Sequence, residues 1–132
     1  MPFEQKLQPI YVDHIKKVVV QECGMKCVRS DDIFSNREII EDVWEYINRS
    51  RIVIAEVTGK NPNVYYELGI THTVGKDVIL LTQSMDDVPF DVRHLRVIVY
   101  EYTPRGAKEL EVKLAQTIKT LLSKPSLLLV SN

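Results

Sequence analysis

Residues Thr58 to Gly69 read TGKNPNVYYELG, and they follow the apolar run Arg51 to Val57, RIVIAEV. Together they read as a strand, a loop and the start of a helix. A near-continuous apolar strand suits the centre of a parallel sheet covered on both faces. Asn61 is a suitable N-cap. Pro62 is a suitable first helical residue, because its missing N–H costs nothing there. Gly75 followed by Lys76 reads as the C-terminal stop. At about 100° per residue, Val64, Leu68, Ile70 and Val74 form one apolar face, with Glu67 and Thr71 near its centre and Asn63 at its edge. Tyr65, His72 and Thr73 point away. Glu67 is the anomaly. A carboxylate in a core-facing stripe is costly unless it is paired or lies at an opening. One turn into the helix, at the strand-end side of its layer, an opening is expected. The bland reading is a glutamate that snorkels or pairs with an arginine.

The pattern extends in both directions. Residues from about Gln8 to Cys23 carry Tyr11, Ile15, Val18 and Val19 near helical spacing, and Gly24 closes them. Lys26 to Arg29 reads as a short strand and Ser30 to Asp32 as a polar loop. Ser35 and Glu38 form a capping box. The helix it opens places Ile39, Ile40, Val43, Trp44 and Ile47 on one face and ends near Ser50. Val78 to Thr82 is a second apolar strand, Gln83 to Asp91 a loop, and Val97 to Tyr100 a further strand. Thr103 and Pro104 start a last helix to about Ser123, with Ala107, Leu110, Leu114, Ile118, Leu121 and Leu122 inward. Ser126 to Val130 reads as a strand. Strands alternating with helices predict an α/β fold, a three-layer parallel sheet of the Rossmann-like or flavodoxin-like kind, in one domain over residues 1–132.

Composition sets limits on function. The chain has 132 residues, 45% hydrophobic and 27% charged, with a formal net charge of -1. That balance gives no global case for a nucleic-acid polymer or an acidic membrane. No apolar run approaches the roughly 20 residues of a membrane span. No secretory leader pattern opens the chain, so a cytoplasmic location is expected. Cys23 and Cys27 flank Gly24, and the three histidines are scattered, so no zinc spacing is present. Cys27 reads as a small buried hydrophobe.

Loops at the carboxyl ends of parallel strands converge on one crevice. Glu56 comes near the end of its strand. Thr58, Gly59, Lys60, Asn61 and Asn63 follow, and this loop with its helix N-terminus is able to hold an anion. It is neither a Walker loop nor a GxGxxG turn, and a plain structural turn is the alternative. The two asparagine amides suit sugar hydroxyls. Gly69 is read as allowing close helix–strand contact. Asp86, Asp87 and Asp91 line the next loop, and Asp31 and Asp32 an earlier one. Arg93 and Arg96 are able to hold a phosphate or to pair with these acids.

The block Asn61-Pro-Asn-Val-Tyr-Tyr-Glu-Leu-Gly69, followed by Gly75-Lys76 and an apolar strand, resembles the nucleoside 2-deoxyribosyltransferase superfamily. The nearer likeness is to a bacterial and archaeal branch with a Met-Pro-Phe segment, an Asp-Asp-Ile segment, an Asp-Leu-Thr-Gly-x-Asn-Pro-Asn-Val-x-Tyr-Glu-Leu-Gly block and a Pro-Phe-Asp with arginines. The counterparts here are Met1-Pro2-Phe3, Asp31-Asp32-Ile33, Glu56-Val57-Thr58-Gly59 onward, and Pro89-Phe90-Asp91 with Arg93. In layout the chain is also similar to TIR domains. Two departures stand out. The family pattern has a first strand before Met-Pro-Phe that is missing here. Either the true start lies upstream, or the possible C-terminal strand 126–130 fills the slot in its own or a neighbouring subunit, or the domain is compromised. The family's strand-end aspartate is here Glu56.

The resemblance implies a glutamate that attacks the anomeric carbon of a nucleoside, nucleotide or NAD-like substrate. By match Glu67 is that nucleophile, and Glu56 or Asp91 protonates or orients the leaving base. Asn61 and Asn63 are placed by position to bind the sugar, and Asp32, Thr58 and Gly59 are further substrate-binding candidates. Phe3 or Phe90 is placed to stack on the base, and Arg93 to meet a phosphate. The chemistry needs no metal or other cofactor. A homo-oligomer is expected. The alternative is a non-catalytic nucleotide-binding or oligomerising module, in one version a defence-system effector.

Overall fold

The computed structural model describes residues 9–27, 45–60, 62–88 and 96–123. The first helix, α1, consists of two stretches, Ile10–Ile15 and Val18–Glu22, whose turns are widened to the π form. Its wide turns show in the Cys23 N–H donating to the Val18 carbonyl at 3.0 Å. Helical residues 45–49, the described part of α2, lead into strand β1, Ile52–Glu56. Then come α3, Pro62–Thr73, and β2, Asp77–Thr82. A 3-10 turn, Met85–Asp87, follows. Strand β3, Arg96–Val99, and the long helix α4, Pro104–Ser123, complete the described elements. The strands pair in parallel in the order β1-β2-β3, with Ile54 opposite Ile79 and Leu81 opposite Ile98.

Side-chain alternation along the strands divides the core in two. Ile79, Leu81, Ile98 and Tyr100 face α1 and α4, where Ile10, Ile15, Val18, Leu110, Leu114 and Ile118 bury against them. Ala55, Val57, Val78 and Leu80 face the other way, toward Val64 and Leu68 of α3. The result is a mixed α/β arrangement with a parallel sheet between helical layers, of the generic Rossmann-like kind. Ile79, Leu80 and Leu81 are fully buried, as befits the central strand.

The local signals for α3 and α4 have physical counterparts. Pro62 is the first residue of α3, and Gly75 takes the left-handed φ of 73° that a helix stop of this kind requires. Thr103 caps α4, its hydroxyl accepting from the Gly106 N–H at 2.9 Å. Gly106 itself is sterically required. A β-carbon there would collide with the Glu101 carbonyl, its carbon 2.9 Å away. In an open helix position Gly→Ala stabilises by about 1 kcal/mol. Here Gly106→Ala is expected to destabilise instead, measured as a lower urea midpoint; a raised midpoint would show the backbone yields freely.

Helices α1 and α4 are also tied by charge. Glu111 accepts from Lys17 Nζ at 2.9 Å and pairs with His14 Nδ1 at 3.2 Å. Partial burial pushes the Glu111 carboxyl up, but the hydrogen bonds and charges of Lys17 and His14 outweigh it and hold it below the usual range. The same contact raises the Lys17 ammonium.

Three sequence expectations need correction. Lys26 and Cys27 adopt no strand; Cys27 is instead drawn to α1, its Sγ 3.8 Å from the Tyr11 hydroxyl. Gly69 makes no close helix–strand contact: it is exposed, and a β-carbon there would meet nothing within 4 Å. Tyr65 does not point away. It is half-buried against the α3-side core and its hydroxyl donates to the Asp87 carbonyl. The expected strand at 126–130, the slot for a first strand, and the capping box at Ser35 lie outside the described residues.

Candidate functional site

The carboxyl ends of β1, β2 and β3 are joined by a small polar ring. Glu56, the last residue of β1, is fully buried. One carboxylate oxygen accepts from the Thr58 N–H at 2.6 Å, and the other accepts from the Tyr100 hydroxyl. The Tyr100 oxygen lies 3.4 Å from Gln83 Nε2, and the Gln83 N–H donates to Thr58 Oγ1 at 2.9 Å. The ring thus runs from β1 through its own loop to the residue after β2, then to the residue after β3, and back. Buried polar groups persist only when paired, and here each is.

Burial pushes the Glu56 carboxyl up, and the hydrogen bonds from Thr58 and Tyr100 pull it part of the way back. Burial and the adjoining carboxylate push the Tyr100 phenol far up, so it stays a donor. The linkage has a definite sign. A carboxyl raised in the folded state contributes stability below its unfolded pKa, near 4.3, and loses that contribution as pH rises through the folded value. The Glu56→Gln variant removes this titration. Wild-type stability is therefore expected to fall relative to Glu56→Gln as pH rises above that point, read by urea unfolding at a series of pH values. Parallel pH curves for the two proteins would contradict the raised carboxyl.

A second set of contacts fixes the entrance to α3. Gly59, in the left-handed region with φ 83°, donates its N–H to Asp87 Oδ2 at 2.9 Å. The Lys60 N–H goes back to the Val57 carbonyl at 3.1 Å, with Lys60 itself at φ 56°. Ser84 caps the 3-10 turn that carries Asp87. The loop after β1 is thereby stitched to the loop after β2.

Glu67 lies on α3 one residue before the buried Leu68 and is itself half-buried. It sits five residues after Pro62, about 7–8 Å along the helix from the strand-end edge. Thr71 is fully buried and satisfies its hydroxyl on the Glu67 backbone carbonyl at 2.7 Å.

The structure does not bring the two glutamates to one face. Glu56 shares its side of β1 with Ile52 and Ile54, which pack toward α1 and α4, whereas Glu67 belongs to the helix on the opposite face. Among the described residues, the carboxylate that reaches the entrance of α3 is Asp87. Thr58 and Gly59 are at the strand-end loop as expected, and Asn63 lies in the first turn of α3. Phe3, Asp32, Asn61, Phe90, Asp91 and Arg93 lie outside the described residues. Sequence reasoning missed Tyr100. Its signal was available in the alternation that puts Ile98 and Tyr100 on the same side of their strand as Glu56 on β1. Among the described residues, no three His, Cys, Asp or Glu side chains gather as a metal site, and no helix is long and apolar enough to cross a membrane.

The chain matches no family model and no curated protein sequence.

Proposed function

We propose that the protein cleaves or exchanges an N-glycosidic bond of a nucleoside, nucleotide or NAD-like substrate, with Glu67 as nucleophile. The observation that carries this reading is a half-buried carboxylate on the core-facing side of α3, near the carboxyl edge of a parallel sheet, where α/β folds take ligands. The sequence block around it adds the likeness to the deoxyribosyltransferases.

In this reading a Glu67 oxygen attacks the anomeric carbon, forming a glycosyl ester as the bond to the base breaks and its electron pair leaves with the base. A proton donor neutralises the departing nitrogen. Water or a second base then attacks the same carbon and frees Glu67, the logic of retaining glycosidases. Asp91 is the candidate donor. Glu56, buried on the other face, acts as a positioning residue that holds Thr58 and Tyr100. In this reading Asn61 and Asn63 bind the sugar.

The second reading is a nucleotide-binding or oligomerising module without turnover, and the burial of Glu56 favours it, because one expected acid is spent on structure. Base release from nucleosides, nucleoside monophosphates and NAD decides between them. Release by wild type that is lost in Glu67→Gln supports the enzyme; ligand binding with no release supports the module.

A further inference from the structure

We propose that Asp87 excludes phosphorylated ligands from the strand-end crevice by holding its own carboxylate at the anion position of the loop between β1 and α3. The inference rests on the reading that this crevice takes the ligand, and it narrows the substrate to an uncharged nucleoside.

A loop from a parallel strand into a helix is ordinarily a ready anion site, because successive N–H groups and the helix N-terminus point at one spot. Within loop residues 58–60 those N–H groups are taken. Thr58 donates to Glu56 at 2.6 Å, Gly59 to Asp87 at 2.9 Å, and Lys60 to the Val57 carbonyl at 3.1 Å. Pro62 has none. The acceptor of the Gly59 N–H is a carboxylate, so at that position the loop already holds the counter-charge that a phosphate would otherwise supply.

Asp87 is not free to swing away. Its N–H donates to the Ser84 carbonyl at 3.1 Å, and its carbonyl accepts from the Tyr65 hydroxyl. The next residue, Val88, is buried in the α3-side core. A phosphate entering beside the exposed Gly59 would have to displace this carboxylate and then lie against it. Like charges so placed act as a device against the wrong ligand. Among the described loop residues 57–60 and 83–88, Asp86 and Asp87 stand against Lys60, so the local balance is negative as well.

The test follows the Gly59 backbone amide by NMR while inorganic phosphate is titrated at constant ionic strength. Asp87→Asn keeps a side-chain oxygen to accept from Gly59 but removes the charge, so the loop is expected to keep its shape. The wild-type amide is expected not to respond saturably, and the Asp87→Asn amide to respond. Asp86→Asn, which changes the same charge one residue away, is expected to behave as wild type. In parallel, wild type is expected to bind adenosine at least about tenfold more tightly than its 5′-monophosphate, and Asp87→Asn to narrow that gap. A saturable wild-type response to phosphate would overturn the proposal. So would an unresponsive Asp87→Asn, an equal gain in Asp86→Asn, or a tighter wild-type complex with the monophosphate. If neither adenosine compound binds, the nucleoside reading fails, while the phosphate titration still decides the part played by Asp87.

Discussion

Replacing Glu67 with glutamine is expected to reduce base release by at least about 10³-fold, the scale seen when a covalent nucleophile is removed. The substitution keeps volume and hydrogen-bonding capacity, and the side chain is only half-buried. The fold should therefore survive, with a thermal midpoint within a few degrees of wild type. The two readouts separate chemistry from architecture. Lost release with an unchanged midpoint assigns Glu67 to the reaction. Retained release removes it as nucleophile. A collapsed midpoint assigns it to the core stripe that its helical spacing first indicated. Glu67→Asp adds a sharper comparison, because it keeps the charge and withdraws it by one methylene. Attack on carbon demands placement within a fraction of an ångström to about one ångström, so Glu67→Asp is expected to lose most of the rate.

Glu56→Ala is the second large effect, and it falls on stability. The substitution leaves the Tyr100 hydroxyl and the Thr58 N–H without their acceptor and opens a hole at a fully buried position. Orphaned buried donors and the cavity together are expected to cost roughly 2–4 kcal/mol, read by urea unfolding at neutral pH. Glu56→Gln keeps the volume, retains one acceptor oxygen and avoids burying a charge. Its amide can donate to the Tyr100 oxygen once the phenol proton turns away. A loss below about 1 kcal/mol is expected for it. Equal losses for both substitutions would mean that the charge itself, rather than the filled hydrogen-bonding ring, holds the three strand ends together.

Much of this fold is legible in the sequence because the signals are local. Pro62 and Gly75 bracket α3, Thr103 and Pro104 open α4, and the apolar runs at 52–56 and 77–82 become adjacent parallel strands. What local reading misplaced was set by distant partners. Tyr65 looked solvent-facing by helical angle, yet its hydroxyl finds a carbonyl 22 residues on. Glu56 looked like a free acid at a strand end, yet Tyr100, 44 residues away, closes over it. The loop after Val57 looked able to hold an anion because it leads from a strand into a helix N-terminus. Asp87, arriving from the next loop, is what takes the Gly59 N–H. In each case the sequence carries the chemical group, while the sheet order decides what it meets.

The division of labour is consistent across these contacts. The face toward α1 and α4 spends its strand-end carboxylate on structure, and Glu67, on the helix of the other face, is the one proposed for chemistry. The rigidity of the first serves the placement of the second, because the Thr58–Gly59 turn anchored by Glu56 and Asp87 sets where α3 begins.

The central claim is that Glu67 forms a bond to the anomeric carbon, and trapping that bond tests it most directly. A 2-deoxy-2-fluoro nucleoside slows breakdown of a glycosyl ester, because the fluorine disfavours the oxocarbenium-like state. Incubation with wild type, followed by proteolysis and mass spectrometry, should give one added sugar on the peptide containing Glu67 and none in Glu67→Gln. An adduct on another residue, or steady release of the base with no adduct at Glu67, would contradict it.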